Sequence, residues 1–245
     1  MKVDSKEIFK KDPRLIVALD TPSLDIVKKT VKDLEGVVGY YKIGFELFTA
    51  HGWDAVNLVK KSGADIFLDL KLHDIPNTVS KAAAVIEEHD VEMFNVHTLG
   101  GFEMMKATRE MVDKRAKNEK DRPLIIGVTI LTSHNEADLK ELGISGRTIK
   151  EQVLHLAKLA HKAGLDGVVC SPQEIELLRN ELPKNFVIVT PGVRPAGSAK
   201  GDQKRVMTPK EALEAGASYI VVGRPITEAR KPREEALAIL ESIRK

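Results

Sequence analysis

Residues 65–78 read DIFLDLKLHDIPNT. Ile66-Phe67-Leu68 is a short apolar run of the kind that forms a buried strand. Ile75-Pro76 then steers the chain away and into a helix, since proline suits a first helical position. Between the two lie Asp69, Lys71 and Asp74, three charges within six residues. Charges at the end of a buried strand are costly unless they pair or do chemistry. The stretch is therefore a strand-then-helix unit with ionisable groups at the C-terminal end of its strand.

The unit recurs. Apolar, β-branched runs occur at Leu15–Leu19, Tyr40–Ile43, Asp65–Leu70, Met93–Val96, Leu124–Ile130, Gly167–Val169, Phe186–Val189 and Tyr219–Val222. Helical spacing fills the intervals: Leu24, Val27, Val31 and Leu34 share one face, and so do Ile149, Val153, Leu156 and Ala160. Ser171-Pro172-Gln173-Glu174 and Thr208-Pro209-Lys210-Glu211 both read as capping boxes with proline at the first helical position. Gly36 and Gly164 stand where helices should end. Strict alternation forces a parallel sheet. Eight units in 245 residues, with no linker between them, predict an α/β fold with one (β/α)8 TIM barrel over residues 1–245. The alternative, an open doubly wound sheet, lacks its glycine fingerprint, because Leu19-Asp20-Thr21-Pro22 follows the first strand.

Composition narrows the class. At 42% hydrophobic and 30% charged residues, the chain suits a globular protein with a substantial core. No stretch approaches the roughly 20 apolar residues of a membrane span. The N-terminal MKVDSKEIFKK lacks the apolar middle of a signal peptide. A single cysteine, Cys170, excludes an internal disulfide framework or a Cys-rich zinc site and points to a cytoplasmic setting. A net charge of +2 without a basic block gives nucleic-acid binding no support.

In such a barrel the reactive groups come from the C-terminal ends of the strands. Here those ends carry Asp20, Lys42, Asp69 with Lys71, His97, Thr132, Ser171, Arg194 and Arg224. Asp69 and Lys71, two apart on an extended strand, should point to the same side of the mouth, beside Asp20 and Lys42. Any one such pair is most often a structural ion pair. Two carboxylates and two ammoniums on three neighbouring strand ends favour a functional network that is neutral enough to be partly buried.

Residues 191–207, PGVRPAGSAKGDQKRVM, form a long loop after the seventh strand. Four cations, Arg194, Lys200, Lys204 and Arg205, stand there against one acid, Asp202. Loops of this length without periodicity are active-site lids or solvated segments. Gly223-Arg224 follows the eighth strand, where a helix start and an arginine fork suit a phosphate group. Together the two stretches predict a phosphorylated substrate. His97 has no second ligand at metal spacing and reads as a packed, hydrogen-bonded histidine. Cys170 reads as a small buried apolar residue, and Trp53 and the phenylalanines read as core.

At this point the chain resembles the orotidine 5'-phosphate decarboxylase family, of bacterial type, along nearly its whole length. The resemblance is carried by Val17-Ala18-Leu19-Asp20, Tyr41-Lys42-Ile43-Gly44, the ten residues Asp69 to Thr78, and Asn95-Val96-His97. It continues through Leu131-Thr132-Ser133, Thr190-Pro191-Gly192-Val193-Arg194, Asp202-Gln203-Lys204-Arg205 and Val222-Gly223-Arg224-Pro225-Ile226. It implies that Lys71 protonates C6 of a pyrimidine as carbon dioxide leaves, with Asp69, Lys42 and Asp74 completing the charged chain. It implies further that Asp20 and Lys42 hold ribose hydroxyls and that Thr132 touches the base. Gln203 would bridge base and phosphate, while Arg194, Gly223 and Arg224 grip the phosphate. Asp74, Ile75 and Thr78 would enter the partner's site in a homodimer, and no cofactor would be required. Two rival readings remain: a magnesium-dependent sugar-phosphate decarboxylase or aldolase of the same superfamily, with a shared Asp-x-Lys-x-x-Asp pattern, and a catalytically silent nucleotide-binding barrel.

Overall fold

The computed structural model describes residues 12–118, 122–195 and 207–244. Eight parallel strands close on themselves in sequence order: β1 (Leu15–Ala18), β2 (Tyr40–Gly44), β3 (Asp65–Leu72), β4 (Met93–His97), β5 (Leu124–Val128), β6 (Gly167–Val169), β7 (Val187–Thr190) and β8 (Tyr219–Val222). β1 pairs with β8 through Leu15–Ile220 and its successors, so the sheet has no edge. The closed (β/α)8 barrel expected from the sequence is the fold. No helix of the described residues is long and apolar enough to cross a membrane.

Alternation along each strand separates two apolar sets. Ile16, Ala18, Tyr40, Phe67, Met93, Ile126, Val189 and Val221 pack together inside the barrel. Their neighbours, among them Leu15, Val17, Tyr41, Ile43, Ile66 and Leu68, join the larger core shared with the helices. That shell is closed by α1 (Leu24–Asp33), α2 (Phe45–His51), α3 (Trp53–Lys60), α4 (Pro76–Glu88), α5 (Gly101–Arg115), α6 (Glu136–Glu141), α7 (Ile149–Lys162), α8 (Ile175–Glu181), α9 (Pro209–Glu214), α10 (Arg224–Thr227) and α11 (Pro232–Ser242). The barrel is thus a packed plug below and a polar mouth above.

Helix ends follow local chemistry. Thr208 Oγ1 accepts from Glu211 N at 3.3 Å while Glu211 Oε2 accepts from Thr208 N at 2.8 Å, the expected capping box of α9. Gly36 and Gly164 have φ of +76° and +83°, left-handed as a helix terminus requires. The Ser171 expectation is corrected. That run opens a 3-10 turn, Pro172–Glu174, in which Ser171 Oγ accepts from Gln173 rather than from the third residue. Glu174, only 1% exposed, is drawn inward, and α8 begins at Ile175.

Trp53 packs on the outer core, edge-on to Phe48 and stacked on His89 with ring centroids 3.7 Å apart. Phe45 departs from the expectation that the phenylalanines are core. It is 57% exposed, because it opens α2 at the barrel mouth, where the Lys71 ammonium lies 5.6 Å from its ring centroid.

Candidate active site

The site begins where β3 leaves the regular strand. Alternation turns Phe67 and Asp69 inward, as the sequence suggests. At Lys71 the backbone instead takes a φ of +45°, and the register against β4 slips between Leu68 and Leu72. The expectation that the two side chains meet is correct, with Lys71 Nζ donating to Asp69 Oδ1 at 2.7 Å. The stated reason, an unbroken extended strand, is not. A non-glycine residue in the left-handed region carries a local cost of about 1 kcal/mol, so something must hold Lys71 there. Its backbone N–H donates to Asn95 Oδ1 at 2.7 Å.

From Asp69 the charges run back across the sheet. Lys42, inward-facing on β2, lies 3.2 Å from Asp69 Oδ2 and donates to Asp20 Oδ1 at 2.9 Å. Asp20, Lys42, Asp69 and Lys71 thus form one alternating chain of carboxylate and ammonium. Gly44 makes room for it: a Cβ at that position would lie 2.9 Å from Lys42 Nζ. Burial pushes the Asp69 carboxyl up, but the ammonium groups of Lys42 and Lys71 and the hydrogen bonds from Lys71 and Asn95 outweigh it, leaving its pKa below the ordinary value. Burial likewise depresses Lys42, and the carboxylates of Asp69 and Asp20 more than restore it. Both groups are therefore held charged near neutral pH.

A cavity of about 290 Å³ opens beside this chain. Thr132, Arg194, Gly223 and Arg224, on the segments after β5, β7 and β8, complete its polar lining. Val193 bridges to Met207, and Arg194 N donates to Met207 O at 3.0 Å, so the two ends of the 191–207 loop meet at the cavity rim. Gly223 is the N-cap of α10, and its carbonyl accepts from Ile226 N at 2.9 Å and Thr227 N at 3.1 Å.

Eight of the expected site residues, Asp20, Lys42, Asp69, Lys71, Thr132, Arg194, Gly223 and Arg224, line this one cavity. Asp74, Ile75 and Thr78 do not. All three are exposed at the start of α4, and Asp74 Oδ1 accepts from Ile75 N at 2.6 Å. Gln203 lies outside the described residues.

His97 is partly buried, and its Nδ1 accepts from Leu99 N at 3.4 Å, as expected of a hydrogen-bonded histidine. Burial, then the charges of His73, Lys71 and His134, lower its pKa to about 4. Cys170 borders the cavity but is 1% exposed, and burial pushes its thiol pKa far up, which rules out a thiolate nucleophile in this state.

Asn95 is the residue that site reasoning passed over. It is 1% exposed, and besides accepting from Lys71 N it donates from Nδ2 to Asp69 Oδ1 at 2.7 Å. A signal was present: an amide between Phe94 and Val96 in a buried strand must find polar partners.

An eight-stranded parallel barrel whose mouth holds an alternating carboxylate–ammonium chain and two arginines around one cavity defines a barrel of enzyme type, with its reactive groups at the strand ends. Residues 13–239 match the family described as orotidine 5'-phosphate decarboxylase / HUMPS family. The chain belongs to that family. An orotidine 5'-phosphate decarboxylase of Geobacter metallireducens is 51% identical over 230 residues, which cover 94% of this chain and 95% of that one. One from Idiomarina loihiensis is 50% identical over 232 residues, covering 94% and 98%. Among solved structures, the orotidine 5'-phosphate decarboxylase of Lactobacillus acidophilus superimposes with a TM-score of 0.83 at 38% identity, covering 96% of this chain and all of that one.

Proposed function

We propose that this protein converts orotidine 5'-monophosphate to uridine 5'-monophosphate and carbon dioxide without a cofactor, the last step in making that pyrimidine nucleotide, in the cytoplasm. The observation that carries the reading is the Asp20–Lys42–Asp69–Lys71 chain at the cavity wall. Decarboxylation at C6 leaves an electron pair in the plane of the ring, where it cannot delocalise into the π system. Most decarboxylases provide an organic electron sink. Fixed charge can do the same work when it is preorganised in a site of low dielectric.

In this reading the C6–carboxylate bond breaks, its electron pair stays on C6, and Lys71 delivers a proton there, to be reprotonated from solvent. Asp69 sits against the departing carboxylate and keeps Lys71 aimed. Lys42 and Asp20 hold the ribose hydroxyls, and Thr132 meets the base. Gln203 spans base and phosphate. Arg194, Arg224 and the Gly223 backbone grip the phosphate, with residues 191–207 as the phosphate-binding loop. Binding energy gathered at the phosphate, remote from C6, can be drawn on in the transition state. Asp74, Ile75 and Thr78, exposed outside their own cavity, complete the partner's site in a homodimer.

A spectrophotometric assay with orotidine 5'-monophosphate in the presence of EDTA tests substrate, reaction and cofactor independence together. Loss of orotate-type absorbance is the expected result. Turnover of a sugar phosphate that stops on chelation, or tight binding of uridine 5'-monophosphate with no turnover of the substrate, would replace this reading with one of its rivals.

A further inference from the structure

We infer that Asn95 is a positioning residue that holds Lys71 and Asp69 in their working geometry, an inference that rests on the reaction proposed above. One buried amide is used at both ends. Its Oδ1 receives the backbone N–H of Lys71, and its Nδ2 donates to Asp69 Oδ1, each at 2.7 Å. The same Asp69 oxygen receives Lys71 Nζ at 2.7 Å. Asn95, Asp69 and Lys71 therefore close a ring of three hydrogen bonds on one carboxylate oxygen and one amide.

Lys71 stands in a left-handed conformation at the point where β3 loses register with β4. Side-chain bonding of its N–H replaces the strand bond forfeited at the slip, and so the turn that aims the ammonium is fixed from β4. The donor from Nδ2 pins the carboxylate so that its other oxygen, Oδ2, faces Lys42 at 3.2 Å. Asn95 itself is absent from the cavity lining, so it acts through Asp69 and Lys71.

The test uses the full-length protein with two replacements. Asn95→Leu removes both bonds at similar volume. A misplacement on the order of 1 Å can cost about 100-fold, so kcat should fall by about that factor, while affinity for uridine 5'-monophosphate stays within roughly three-fold. Asn95→Asp keeps the acceptor for Lys71 N but sets a carboxylate against Asp69 until it takes up a proton. Protonated, the introduced carboxyl can donate as the amide did. The ratio of its kcat to that of the wild type should therefore rise as pH falls from about 8 to about 5. The groups facing the introduced carboxyl are Asp69 and Lys71 from β3, with Lys42 behind Asp69 and His97 on its own strand; β5 opposes position 95 with Ile126.

Leucine at 95 with kcat within three-fold of wild type overturns the inference, and so does a pH-independent ratio for Asn95→Asp. Equal loss of kcat and nucleotide affinity in the leucine variant marks a merely structural role and overturns it as well. If that variant fails to fold, the pH ratio of Asn95→Asp decides alone. Should the wild type itself not turn over the substrate, it is the proposed reaction that fails. A crystal structure of Asn95→Leu still judges the positioning, which is wrong if Lys71 keeps its left-handed turn and its contact with Asp69.

Discussion

Lys71 is held by its neighbours at both backbone and side chain, and its removal should separate chemistry from binding. Lys71→Ala is expected to lower kcat by 10²–10⁴-fold, on the order of what a general acid supplies, while uridine 5'-monophosphate still binds. A variant keeping more than about a hundredth of wild-type kcat would contradict the proton-donor role. His97 affects stability instead. Its pKa lies near 4 in the folded chain against an ordinary 6.5, so between those values the unfolded chain binds more protons. Folding stability should therefore fall as the pH drops from 6.5 toward 4, and His97→Gln should flatten that slope in denaturant titrations across the interval. An unchanged slope would place the titration elsewhere. These residue-scale features were unevenly legible. Asp20, Lys42, Asp69 and Lys71 could be found because charge at a strand end is conspicuous in a sequence. The left-handed turn of Lys71 could not, since it is imposed by an amide 24 positions away.

Strands and helices were the most legible level, because each is specified mainly by its own residues. Runs such as Leu15–Ala18 and Tyr219–Val222 announce themselves, and the Thr208 box states its own helix start. Prediction failed where an element takes instructions from elsewhere. Burial of Glu174 tightens the turn after Ser171, and the barrel mouth leaves Phe45 exposed. β6 shows how a short strand depends on its neighbour. At Gly167 an added Cβ would fall on the carbonyl oxygen of Val187, the residue that pairs with it on β7. Two strand backbones cannot separate without opening the barrel. Gly167→Ala should therefore cost at least about 1–3 kcal/mol in chemical denaturation, the usual range for overpacking a core. A loss below that range would mean β6 and β7 have room to move apart.

At the scale of the whole molecule, the exposed Asp74 and the cavity-lining Lys71 lie three residues apart yet face different surroundings. In a two-fold dimer with shared sites, Lys71→Ala and Asp74→Ala homodimers should each be nearly inactive. Random exchange of subunits makes about half the dimers mixed, and each mixed dimer regains one intact site, so roughly a quarter of wild-type activity should return. No recovery after exchange has been verified by mass would assign Asp74 to its own chain. At the cavity wall the Lys42–Asp69 pair is enclosed, each side chain only 12% exposed. Salt screens charges that stand in solvent over distances beyond about 10 Å at 0.1 M, but it barely reaches a pair shut away from counterions. Raising ionic strength should thus spare kcat, and a marked fall in kcat would show that ions from solvent enter the charged chain.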